Sequence, residues 1–131
     1  MAVSAVLIEG ADVSALAVAI ALAEQGAEVA VVHPAVPLER AASEGAQTDA
    51  EAQAALLARA RLLGIEVRPG LGVVGCVHVD QYIEAELTNG RIENYDVVID
   101  GLPGRRRIVT GDETRRTAVA DVVDRALSAV R

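Results

Sequence analysis

The stretch Val6 to Pro34, VLIEGADVSALAVAIALAEQGAEVAVVHP, leaves this chain few ways to fold. Ala5 to Ile8 is a short apolar run suited to a parallel strand buried on both faces, and it ends at Gly10. Val13 to Gln25 is Ala- and Leu-rich, with apolar residues on nearly every side. That pattern predicts a helix pressed between a sheet and its neighbours, with Gly26 as its stop. Glu28 to Val32 is a second strand. A strand, helix and strand in fewer than thirty residues make a parallel βαβ unit.

The pattern continues for one more turn of the same kind. After a loop from His33 to Gln47, the capping box Thr48-x-x-Glu51 predicts a helix that runs through Leu63 and ends at Gly64. IEVRPG, Ile65 to Gly70, is a third strand. Beyond Leu71 the signal changes: Val73 to Asp80 and Tyr82 to Gly90 are β-rich, and Asn89-Gly90 before Arg91-Ile92-Glu93 predicts a two-residue hairpin. Tyr95 to Gly101 returns as a short buried strand, and Ile108 to Thr110 follows the loop LPGRRR. A last helix is expected from Thr114 or Arg116 to Val130. The 131 residues therefore predict one α/β domain, a Rossmann-like three-layer parallel sheet with an antiparallel hairpin insert.

Composition removes several function classes. Apolar residues make up 52% of the chain but aromatics only 2%, namely Tyr82 and Tyr95, so a site built on aromatic stacking is not expected. A net charge of −7 argues against nucleic acid and anionic membrane surfaces as partners. Every one of the 12 basic residues is Arg, which excludes Schiff-base and Walker-lysine chemistry. A single cysteine, Cys76, in an apolar strand reads as a small buried hydrophobe, and two separated histidines give no metal site. The apolar run Val13 to Ala23 is too short to span a bilayer, and the N-terminus lacks a basic leader, so a cytoplasmic protein is expected.

The segments GADVSALAVAIALAEQGAEVAVV, LLGIEVRPG, LTNGRIENYDVVIDG and TGDETRRTAVADVV fall in an informative order. Together they resemble pyridine-nucleotide and flavin disulfide-reductase-like domains, most of all the C-terminal region of the old-yellow-enzyme relatives that include trimethylamine dehydrogenase and dienoyl-CoA reductase. In that family a flavin-bearing barrel precedes a split nucleotide-binding region with a nicotinamide-type domain inserted. The resemblance implies that residues 1–104 are NAD(P)-domain-like and that 105–131 correspond to the returning flavin-domain segment.

Set on the fingerprint G-x-G-x-x-G, Gly10 matches the first glycine, Asp12 replaces the second and Ala15 the third. Alanine at the third position preserves close helix packing. Asp12 is expected to block the pyrophosphate and to cap the helix in its place. Where an acid normally takes the ribose at the end of the second strand stands His33, which with Arg40 would suit a 2′-phosphate. YDVVIDG resembles the family's strand end, with Asp100 and Gly101 at the carboxyl edge. Gly111 and Asp112 resemble the pair that touches the flavin's ribityl chain, and Asp112 or Thr114 also suits a helix cap. Arg105, Arg106 and Arg107 form a candidate docking patch for a larger flavoprotein subunit. The expected function is a non-catalytic accessory subunit of a flavin-dependent oxidoreductase, with no cofactor of its own and FMN or FAD on the partner. The alternatives are a functional NADP- or ADP-binding domain, and a self-associating scaffold without ligand.

Overall fold

The computed structural model describes residues 4–34, 46–102 and 104–130. Strands β1 (Ala5–Glu9), β2 (Glu28–His33), β3 (Glu66–Pro69), β7 (Val97–Asp100) and β8 (Arg107–Thr110) form one sheet in the order β3-β2-β1-β7-β8. Strands β4 (Val73–Val79), β5 (Tyr82–Leu87) and β6 (Ile92–Tyr95) form a second, antiparallel sheet in the order β4-β5-β6. Helices α1 (Val13–Glu24), α2 (Ala46–Leu62) and α3 (Arg116–Ala129) complete the fold, with a 3-10 turn, Glu113–Arg115, leading into α3.

The alternation of a strand explains the layers. In β1, Val6 and Ile8 point to the helices and share a core with Val18, Leu22, Val97, Ile99, Val123 and Leu127. Leu7 points the other way, with Ala30, Val32 and Val98, onto Ile83, Ala85 and Leu87 of β5. The central sheet is thus buried on both faces, which is why its strands read as unbroken apolar runs. The order of layers is helices, mainly parallel sheet, antiparallel sheet. The third layer of the expected α/β architecture is the insert itself.

Four expectations of detail are corrected. The edge strand β8 runs antiparallel to β7, because the six residues between Asp100 and Arg107 are too few for a crossover, which takes a dozen or more. Tyr95 belongs to β6. Asp96 then breaks the chain between the sheets: its amide donates to the Ala5 carbonyl and its carbonyl accepts from Gly111, each at 2.8 Å. Asp96 Oδ2 also accepts from the Ala5 amide at 2.7 Å. The β5–β6 turn has three residues, Thr88 to Gly90, closed by Leu87 N–H to Arg91 O at 2.9 Å. Only Gly90 takes a positive φ, 85°, whereas a two-residue type I′ turn needs two such residues. Helix α2 begins at Ala46, upstream of Thr48, because Ala46 and Gln47 are strong helix formers.

Local signals hold elsewhere. Helix α1 closes as a Schellman motif, with Gly26 N–H on Ala23 O and Ala27 N–H on Leu22 O. Gly111 meets the β4–β5 turn so closely that a Cβ there would overlap the Gln81 carbonyl. His78 Nε2 donates to the Gly111 carbonyl at 2.6 Å across the same contact.

A polar link ties β6 to β3. Arg68 Nη1 donates to both Glu93 oxygens, at 2.8 and 3.0 Å, and Tyr95 Oη donates to Glu93 Oε1 at 2.6 Å. The tyrosine hydrogen bond, helped by the guanidinium, holds the Glu93 carboxyl below the usual carboxylate range. Burial pushes the Tyr95 phenol up in turn. Since the folded Glu93 pKa lies below its unfolded value, the link stabilises the fold above about pH 4.3 and is lost as pH falls through the folded value. Glu93→Gln should therefore lower the unfolding free energy at neutral pH by about 1–3 kcal/mol, and urea titrations should show that gap shrinking on acidification. Gly111→Ala should cost about 1–3 kcal/mol by overpacking, measured the same way.

Candidate functional site at the carboxyl edge of the sheet

In an open α/β sheet ligands bind beyond the carboxyl ends of the parallel strands. Here that edge collects the residues after β1, β2 and β7. Gly10 follows β1 with φ 127°, its amide on the Val32 carbonyl at 2.8 Å. A Cβ on Gly10 would stand 3.3 Å from the Ala15 Cβ, and Ala15 is 1% exposed. Gly10 thus makes a tight turn and approaches the buried Ala15 of α1 closely.

Asp12 is the N-cap of α1. Its backbone is extended, its carbonyl accepts from Leu16 N–H at 3.0 Å, and Oδ1 accepts from Ala15 N–H at 2.9 Å. The carboxylate takes one of the amides that a helix start leaves without a backbone partner. The loop is held from outside as well, because Gln53 Nε2 on α2 donates to the Ala11 carbonyl at 2.6 Å. Glu9, the last residue of β1, sends Oε2 to the Val73 amide at 2.5 Å and so anchors the start of β4. Sequence reasoning missed both contacts. The acid closing an otherwise apolar strand was a visible signal for Glu9; Gln53, one of many polar residues on α2, gave none.

His33 ends β2, with Nδ1 3.3 Å from the Pro34 carbonyl oxygen. Its expected companion Arg40 lies outside the described residues. Asp100 ends β7 and is held by Arg107 Nη2 at 2.7 Å, so the second acid of this edge is neutralised within the chain. The same hydrogen bond raises the Arg107 pKa. Gly101 turns directly after it, under the Arg105 carbonyl, where a Cβ would not fit. Arg106 pairs with Asp124 on α3. Of the three arginines, Arg105 alone has no ion-pair partner among the described residues.

Asp112 stands at the other end of the sheet. Because β8 is antiparallel, Thr110 lies beside Val97, which lies beside Val6 at the amino end of β1. There Asp112 caps the 3-10 turn, its Oδ1 accepting from Thr114 N–H at 3.0 Å and Thr114 Oγ1 at 2.7 Å. The hydroxyl bond holds its carboxyl below the ordinary value. Gly10, His33, Gly101 and Arg107 thus lie at the carboxyl edge of the sheet, with Asp12 and Ala15 at the start of α1, while Asp112 stands at the opposite end.

Burial pushes the Cys76 thiol up, against a smaller opposing effect of Arg107, which disfavours its thiolate form. Among the described residues no group of three His, Cys, Asp or Glu side chains is placed to hold a metal ion. Among them too, no helix is long and apolar enough to cross a membrane.

No protein-family model matches this sequence, and no curated protein sequence matches it. Solved structures do share its fold. CtdE in complex with FAD is 16% identical with a TM-score of 0.62, over 76% of this chain and 38% of that one. A 2-methyl-3-hydroxypyridine-5-carboxylic acid oxygenase is 18% identical at TM-score 0.59, over 81% of this chain and 42% of that one. The tetracycline destructase Tet(55) is 14% identical at TM-score 0.60, over 76% and 38%. The chain thus spans about two fifths of the length of these proteins and has in common with them an α/β fold, one that in CtdE accompanies bound FAD.

Proposed function

We propose that this chain is an accessory or assembly subunit of a flavin-dependent oxidoreductase, of the amine dehydrogenase or enoate reductase type suggested by its sequence segments. On this reading it keeps a dinucleotide-binding fold and fills the phosphate position itself. The observation that carries the reading is the Asp12 carboxylate, 2.9 Å from the Ala15 amide. It stands where the fingerprint has its second glycine and occupies an amide that a phosphate oxygen would take. The loop residues do not fit a dinucleotide. A phosphate about 4 Å from that carboxylate would be repelled by roughly 1 kcal/mol in water and roughly 4 kcal/mol at an effective dielectric of 20. The helix dipole returns about 0.3–1 kcal/mol, and about 2 kcal/mol in a partly buried geometry.

The flavin, FMN or FAD, would then reside on a larger partner, and this chain would carry no catalytic group. Arg105 is the cation best placed to meet an acidic partner surface, since Arg106 and Arg107 are already engaged within the chain. The fold shared with FAD-bound CtdE supports a flavoprotein setting.

Calorimetric titration with NADP, ADP and FAD should give no binding to the wild type. Binding by the wild type that Asp12→Gly does not improve would favour the nucleotide-binding alternative, with Gly10, His33 and Arg40 as the site. Asp12→Ala should lower stability by about 1 kcal/mol in urea unfolding, and Asp12→Asn should keep most of it, because Asn caps as well as Asp. Native mass spectrometry of material from its own host should show a larger flavin-bearing chain attached; a chain found only by itself would sink the accessory role.

A further inference from the structure

The four strand edges of the two sheets are not equally protected. β3 carries Glu66, Arg68 and Pro69, β8 has four residues beginning with Arg107, and β6 has four with Glu93 among them. Charge, proline, shortness and bulges are the usual means by which an edge avoids pairing with another chain. β4 has neither charge, proline nor shortness, and its one irregularity lies at its start, between Val73 and Gly75, leaving Gly75–Val79 in regular register. It runs seven residues, VVGCVHV, without a charged residue or a proline, and β5 is its only strand neighbour among the described residues. Three of its side chains are exposed: Val74 at 62%, Val77 at 61%, and His78, whose ring is tied to the Gly111 carbonyl. The face that the two valines share with β6 continues the pattern. Ile83, Ala85 and Leu87 point inward, so Glu84 and Glu86 point outward, with Val77 opposite Glu84 and Ile92, 62% exposed, opposite Glu86.

We propose that β4 pairs antiparallel with β4 of a second copy across a two-fold axis, joining two three-stranded sheets into one of six strands. An open strand edge asks for another strand, and a two-fold contact asks for a surface that matches itself. The net charge of −7 selects this edge. Two copies repel wherever their acids face each other, and β4 brings none to the contact. The nearest outward acids, Glu84 and Glu86 on β5, lie three strand spacings from their counterparts, about 14 Å, which exceeds the Debye length of about 8 Å at physiological salt. An axis through Cys76, the central residue of β4, sets Gly75 of one copy opposite Val77 of the other on the outward face. The absent side chain leaves room for the valine.

This pairing stands independently of the accessory role. Sedimentation equilibrium of the full chain from low micromolar to submillimolar concentration should show the mass rising from 13.6 kDa toward twice that value. Val77→Lys and Val74→Lys should each raise the dimer dissociation constant by about tenfold or more, with circular dichroism unchanged because both positions are exposed. Hydrogen exchange should slow within Val73–Val79 as concentration rises, and not in β8. A wild type that stays monomeric throughout overturns the proposal. So does a dimer that tolerates both lysines, or one whose β4 amides exchange as fast as in the monomer.

Discussion

Everything in this fold hangs on the burial of both faces of β1. Val6, Leu7 and Ile8 are each 1% exposed or less, and each would lose about 1.5–3 kcal/mol of transfer energy if left in water. With no Phe or Trp in the chain, that burial is achieved mainly by aliphatic side chains, with Tyr95 and Cys76 at the margin of the Leu7 side. Alanines in α1 let the helix come close to the sheet, and the β5 face supplies Ile83, Ala85 and Leu87 from the opposite side. The antiparallel sheet is therefore a structural necessity for the central one, whatever else it does. Without it Leu7, Val32 and Val98 would face solvent.

The parts legible in the sequence are those decided by neighbours in the chain. The α1 stop at Gly26 and the Asp12 cap each depend on residues three to five positions apart, and the strands and helix of the βαβ unit show as consecutive local patterns. What sequence could not supply depends on distant partners or on loop length. The direction of β8 follows from the short connection after β7, and it carries Asp112 to the amino end of the sheet, away from Gly10. Gln53 reaches Ala11 across 42 residues, and Glu9 reaches Val73 across 64. No periodicity announces such contacts. The arginine run at 105–107 looked like one patch in sequence, but the fold divides it, giving Arg106 to Asp124 and Arg107 to Asp100.

The same division recurs across the acidic surface. Arg68 holds Glu93 between the two sheets, Arg107 holds Asp100 at the carboxyl edge, and Arg115 reaches the Ser4 hydroxyl at 2.6 Å. A guanidinium fits a carboxylate through several donors at fixed angles, which a lysine ammonium does not. An all-arginine complement thus serves to fasten elements distant in sequence. Exposed pairs such as Arg59 with Glu24 add little to this.

The junction at Asp96 also governs the order in which the chain can become native. Ala5 is bound there by a residue 91 positions later, and Ser4 by one 111 positions later. Until Val97 to Ile99 have left the ribosome, β1 has a strand on one side only, and Leu7 lacks the β5 layer that covers it until the hairpin sequence emerges too. The amino-terminal βαβ unit is made first yet is completed last. Contacts of such sequence separation slow folding, and they leave the most apolar strand of the protein waiting with an open edge during synthesis.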